Sequence, residues 1–93
     1  MRKPRFEWDP NKARANLRKH GVSFEEAASS FEDPHGLFFP DLTHVDRLVL
    51  VAMSKHERLL VTVHAEVQDD IIRILSARRA EARERRRYHE ENQ

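Results

Sequence analysis

Arg47-Leu48-Val49-Leu50-Val51-Ala52-Met53, then Arg58-Leu59-Leu60-Val61-Thr62-Val63-His64, is the stretch whose reading decides the fold. Two apolar, partly β-branched runs are separated by the tight polar turn Ser54-Lys55-His56-Glu57, which predicts a hairpin of central strands. A third run, Ile71-Ile72-Arg73-Ile74-Leu75-Ser76, follows a second polar turn at Val67–Asp70. The three segments are expected to form adjacent antiparallel strands. Upstream, Leu37-Phe38-Phe39 is short and stops at Pro40-Asp41, as an edge strand does, because proline cannot donate to a ladder.

Helical signals lie on either side of this sheet. Arg5-Phe6-Glu7-Trp8 alternates as a short strand and hands over at Asp9-Pro10, an N-cap followed by a proline tolerated at the first helical position. The helix through Lys12 to His20 ends at Gly21, with Arg18, Lys19 and His20 complementing the dipole of its last turn. Ser23 and Glu26 have the spacing of a capping box, and Phe24, Ala27, Ala28 and Phe31 recur at helical period up to Asp33-Pro34. The tail from Ala77 to Glu91 contains neither Gly nor Pro and reads as a third helix. The order is βααββββα, a single α+β domain spanning residues 1–93: a small antiparallel sheet with a helical pair and a C-terminal helix.

All three helices are expected to cover one sheet face. Alternation puts Leu59, Val61 and Val63 on one side of their strand and Leu60, Thr62 and His64 on the other. In the next strand Arg73 opposes Ile72 and Ile74. Burying the all-apolar sets leaves Thr62, His64 and Arg73 on an open face, where the chemistry is expected.

Composition narrows the options. With 93 residues there is room for one thin core and no second domain. Basic and acidic residues nearly balance, 17 against 16, so nucleic-acid binding has to be argued from local clustering. Cys is absent, which excludes disulfides, thiolate zinc sites and cysteine nucleophiles. No apolar run approaches the roughly 20 residues of a membrane span and no signal-type core follows the basic N-terminus, so the expected location is cytoplasmic, without membrane contact. The six His have no compact metal spacing, and no metal or other cofactor is expected.

Arg78, Arg79, Arg83, Arg85, Arg86 and Arg87 form the densest charge cluster, diluted by Glu81 and Glu84. Such a run is either a solvated helix laced with near-neighbour pairs or a phosphate-binding face that uses the forked guanidinium. Tyr88 beyond it stacks on a base or anchors the helix. His64 reads as a structural strand histidine or as an acid–base group near Arg73. Asp41, His44 and Arg47, three apart, read first as loop polarity.

The compound pattern Phe6-Glu7-Trp8-Asp9-Pro10, Lys12-Ala13, Asn16, Lys19-His20-Gly21-Val22-Ser23-Phe24-Glu25-Glu26-Ala27 resembles the BrnT family. Phe31, Asp33-Pro34, the Asp41/His44/Arg47 set and Ile72-Arg73-Ile74-Leu75-Ser76-Ala77-Arg78-Arg79-Ala80 extend the likeness to about Tyr88. The resemblance implies a RelE-like toxin domain of a type II toxin–antitoxin module, cleaving RNA without a metal and thereby inhibiting translation and growth. It also implies a BrnA-like antitoxin, with DNA reached only through that partner. One departure is visible: Ala65-Glu66-Val67 stands where the family usually carries Thr-Glu-Arg. On this basis Arg73, Arg79, His64, Lys19, His20 and Tyr88 are the expected catalytic residues, and Arg78, Arg85, Arg86, Thr62, His44 and Arg47 the expected RNA contacts. The competing reading is a non-enzymatic binding module or co-repressor acting only through its antitoxin.

Overall fold

The computed structural model describes residues 3–93. Its elements are β1 (Arg5–Glu7), α1 (Pro10–His20), α2 (Phe24–Ser29), a 3₁₀ turn (Ser30–Glu32), β2 (Leu37–Pro40), β3 (Leu48–Met53), β4 (Leu59–Gln68), β5 (Ile71–Arg79) and α3 (Ala82–Glu91). Five strands form one sheet in the order β1-β5-β4-β3-β2. The β2–β3, β3–β4 and β4–β5 pairs are antiparallel, as the apolar runs and short turns require. β1 is the exception. It pairs parallel to β5, so the sheet is mixed.

The expected caps form, with one difference. The Asp9 carboxylate accepts from Asn11 N at 2.8 Å, and Gly21 takes the left-handed φ of 69° that a side chain would resist. Ser23 Oγ accepts from Glu26 N at 3.0 Å. Glu26 does not complete the box: its buried carboxylate accepts from Ser54 Oγ at 2.7 Å and from the Arg58 guanidinium, which also donates to Gly21 O. These bonds tie the helical pair to the β3–β4 turn. The Arg58 bond is the main reason the Glu26 carboxyl lies below its ordinary pKa.

Two features differ from expectation at the C-terminal end. Arg78 and Arg79 are not helical: β5 runs through them, pairing with Val61 and Leu60, and α3 begins only at Ala82. Glu81 caps that helix in a reciprocal box with Glu84. The β4–β5 turn is also tighter than Val67–Asp70, since β4 continues to Gln68, opposite Ile71.

The helices do not share one face. Phe24, Val22 and Ala27 pack with Leu60, Ile74 and Ala77 beneath α1 and α2. Tyr88 of α3 packs instead with Val51, Leu59, Val61 and Ala80 on the opposite face. Burial is therefore divided between two thin cores, and Thr62 and His64 lie inside the first, 0% and 1% exposed. Their predicted place on an open face is wrong. The helical pair covers the strand positions carrying Leu60, Thr62 and His64, while the all-apolar set of Leu59, Val61 and Val63 faces α3.

β1 covers only the first part of β5, and past Arg73 that edge has no strand partner among the described residues. Asn16 of α1 closes it. Its Oδ1 accepts from Ala77 N at 3.1 Å and its Nδ2 donates to Ala77 O at 2.8 Å and Val22 O at 2.9 Å. One buried carboxamide thus pairs as a strand residue would and sets α1 against the sheet edge.

Candidate functional site

Cross-strand register builds the floor of a groove on the second face. Arg78, Val61, Val51 and Leu37 stand opposite one another in one row across β5, β4, β3 and β2. Ser76, Val63, Val49 and Phe39 form the next row. α3 rises along one side, anchored by Tyr88, and the C-terminal end of α1 reaches the rim at Lys19 and His20. The resulting cavity is about 1030 Å³.

Charge is arranged around this apolar floor. Lys19, Arg78, Arg83, Arg86 and Arg87 line the cavity against Asp41, Glu84 and Glu90. The positions 83, 86, 87 and 90 recur at helical spacing, which turns one side of α3 toward the groove. Glu84 is committed to Arg78, whose Nη1 and Nη2 donate to Oε1 and Oε2 at 2.9 and 2.6 Å. This fork raises the Arg78 pKa and lowers that of Glu84, in both cases chiefly through the shared hydrogen bonds. It also fixes the guanidinium in orientation at the groove edge.

The expected site residues separate. Lys19, His20, Arg78 and Arg86 come together around the groove. Arg73 is exposed as expected, but it does not share a face with Thr62 and His64: it stands opposite Ala65, on the other side of the sheet from His64. Its Nε donates to Glu7 Oε2 at 2.6 Å, and it lies outside the cavity, in a hollow with Trp8 and Lys12. Arg79 turns to the helical-pair side, opposite Leu60, in a shallow hollow that Arg85 also lines. Arg85 donates to Ala80 O. His44 and Arg47 close the β2–β3 loop: Thr43 Oγ1 bonds His44 Nδ1 at 2.9 Å, and Arg47 O accepts from Asp41 N at 3.2 Å.

Three of the expected groups are inside the protein. His64 meets Phe31 and Phe38 edge-on, with ring centroids 4.8 and 5.9 Å away, and burial holds its pKa below the ordinary imidazole value. Thr62 Oγ1 is buried without a hydrogen-bond partner among the described residues. The Tyr88 hydroxyl donates to Asp33 Oδ2 at 2.6 Å, and burial with that bond pushes its pKa up to about 12. It anchors the helix, one of the two roles its sequence position allowed. Arg83 and Arg87 are the groove cations that sequence reasoning left in an undivided charge run; the helical spacing to Arg86 was the signal that places them.

Among the described residues, no group of three or more His, Cys, Asp or Glu stands close enough to hold a metal. No helix among them is long and apolar enough to cross a membrane.

Comparisons with known proteins agree with this architecture. The family described as ribonuclease toxin, BrnT, of type II toxin–antitoxin system matches residues 8–84. The crystal structure of the Brucella abortus ribonuclease toxin BrnT superimposes with a TM-score of 0.70, covering 85% of this chain and 99% of that one at 21% identity. A search of curated proteins finds no match. The shared fold and a family match over most of its length make this chain a member of the BrnT family of ribonuclease toxins of type II toxin–antitoxin systems.

Proposed function

We propose that this chain cleaves RNA within the groove between α3 and the sheet, without a metal, and that this cleavage inhibits translation and growth. The carrying observation is the convergence of Lys19, His20 and the oriented Arg78 guanidinium at one end of an apolar-floored, cation-rimmed groove. In this reading the RNA 2′-oxygen forms a bond to its own phosphorus while the bond to the 5′-oxygen breaks. The products are a 2′,3′-cyclic phosphate and a free 5′-hydroxyl. His20 accepts the 2′-hydroxyl proton, Lys19 protonates the departing 5′-oxygen, and Arg78 stabilises charge on the phosphoryl oxygens. Arg83 and Arg86 hold neighbouring phosphates. Arg73 and Arg79 stand outside the groove and guide the strand rather than act at phosphorus. The arrangement belongs, in this reading, with RelE-like toxins, and a BrnA-like antitoxin neutralises it by laying an acidic, hydrogen-bonding segment over the groove and supplies all contact with DNA.

Purified protein incubated with single-stranded RNA in EDTA tests the enzymatic reading. Products ending in 2′,3′-cyclic phosphate are expected. Intact RNA after incubation both with and without divalent ions would instead favour a binding module or co-repressor that works only through its antitoxin.

A further inference from the structure

The groove is asymmetric along its floor. Arg78 and Ser76 stand at the β5 end and Leu37 and Phe39 at the β2 end, three strand spacings or ~14 Å apart. The β5 end is the one α1 reaches, through the Asn16 bonds to Ala77, and Lys19 and His20 line the same cavity as Arg78. The β2 end carries a different set of groups. Phe39 is half-buried, its ring covered by the Arg87 guanidinium at 5.3 Å from the centroid. One helical turn on from Arg86 and Arg87, Glu90 lines the same cavity, and among the described residues it has no ion pair or hydrogen bond from its side chain.

An aromatic ring under a guanidinium is a stacking platform for a nucleobase, which phosphate binding does not need. A carboxylate without a partner among the described residues, in a groove whose other acidic groups Asp41 and Glu84 already have theirs, repels phosphate and only accepts hydrogen bonds. The part of RNA that suits it is a base edge rich in N–H donors. Cytosine and adenine each present one exocyclic amine there, whereas guanine presents N1–H and N2–H side by side, matching both oxygens of one carboxylate. Asp41 is less suited, because its Oδ1 already accepts from Thr43 N and Oγ1 at 2.9 and 2.8 Å.

We infer that Phe39, Arg87 and Glu90 form a base-recognition subsite at the β2 end of the groove that selects guanine. This inference rests on the ribonuclease reading for its biological meaning, but the subsite is a binding property and can be measured without cleavage. The base takes the place that the Arg87 guanidinium occupies over the Phe39 ring, its Watson–Crick edge meets Glu90, and the chain then runs toward Arg78, where the phosphodiester is held. RNA selected in this way must be single-stranded, since a paired guanine has no free Watson–Crick edge.

Two measurements on the whole chain test this. The first is binding of 3′-GMP, 3′-AMP and 3′-IMP by titration calorimetry or amide chemical shifts. Tenfold or greater preference for 3′-GMP over 3′-AMP is expected, given the discrimination that one good bidentate base contact supplies, with 3′-IMP between them because it lacks the N2 amine. Glu90→Gln should cut the 3′-GMP preference at least fivefold, and Phe39→Leu should weaken all three nucleotides. The second is cleavage of oligoribonucleotides that differ at a single guanosine, replaced by adenosine, inosine or 7-deazaguanosine. The last keeps the Watson–Crick edge and should be cut like guanosine. Equal binding of the three nucleotides, or a 3′-GMP preference untouched by Glu90→Gln, overturns the subsite even if RNA is cleaved. Selective 3′-GMP binding that depends on Glu90, with no RNA cleaved, upholds the subsite and overturns the ribonuclease reading.

Discussion

The two faces of the sheet use the same β-branched strands for opposite purposes. On the face under α1 and α2, Phe24, Leu60, Ile74 and Ala77 interlock, and even the polar Thr62 and His64 are sealed in. On the face under α3, only the row nearest Tyr88 is well covered, and the valines beyond it remain as the floor of an open groove. A buried row next to a helix makes a core, and the same row beyond the helix's reach makes a binding surface. α3 has one buried residue, Tyr88, and apart from Ala82 its remaining surface is charged or polar. It is a wall held by one buried side chain and by the Arg78–Glu84 fork rather than a lid of core.

If this division holds, truncation on the first face should cost stability and truncation on the second should cost activity. The largest effect is expected for Phe24→Ala: its ring is fully buried and meets Trp8 edge-on at 5.9 Å. Loss of about 3–5 kcal/mol in denaturant unfolding is expected, and a loss under about 1 kcal/mol would break the comparison. Arg78→Ala should still fold, losing about 1–3 kcal/mol with the Glu84 fork, and its folded fraction should cleave RNA on the order of 10²-fold more slowly, as expected for removal of an oriented transition-state donor. Arg73→Ala, outside the groove, should lose less than about tenfold; the reverse ranking would move the chemistry to the Glu7 end of the sheet.

Tyr88 supplies a pH test of the anchor. Its pKa is raised above the usual tyrosine value of about 10, so the folded protein holds this proton more tightly than the unfolded chain does. The stability that depends on this proton is complete below about pH 10 and is lost as pH rises toward about 12. Tyr88→Phe should cost about 1–2 kcal/mol at neutral pH and flatten that alkaline slope. An unchanged slope would mean that α3 is held by something else. The smallest effect is expected for Arg86→Ala, which should reduce the slope of log affinity against log salt by about 0.7, one phosphate contact to a single strand.

The strands of the sheet were legible because Leu48–Met53, Leu59–His64 and Ile71–Ser76 are apolar, β-branched and bounded by turn residues. The helix caps at Asp9, Gly21 and Ser23 were legible for the same local reason. Three matters were not local. Ala77-Arg78-Arg79-Ala80 has good helix formers, and only pairing with Leu60 and Val61 makes it strand. Alternation in β4 separates two sets of side chains but does not say which set lies under the helical pair. The set containing Thr62 and His64 read as the open one because polar residues normally face water. His64 is tolerated inside because Phe31 and Phe38 present ring edges to it. The groove itself was half legible. Lys19, His20, Arg78 and Arg86 were named from sequence, but their convergence depends on α3 crossing to the far side of the sheet, and β1 pairing parallel to β5 had no sequence signature in a three-residue strand.

Asn16 leaves very little chemical latitude at its position. The Ala77 backbone offers one donor and one acceptor, and Asn16 meets each with its complement. Aspartate would set an anionic oxygen against the Ala77 carbonyl, leucine would strand both backbone groups, and glutamine is one methylene too long for the gap. The same carboxamide occupies a stretch of β5 edge on which the strand of another molecule would otherwise settle. A free strand edge at that place would invite pairing with the edge of a second copy. One amide side chain thus does two things at once: it seats the helix that carries Lys19 and His20 and it covers a stretch of open strand edge.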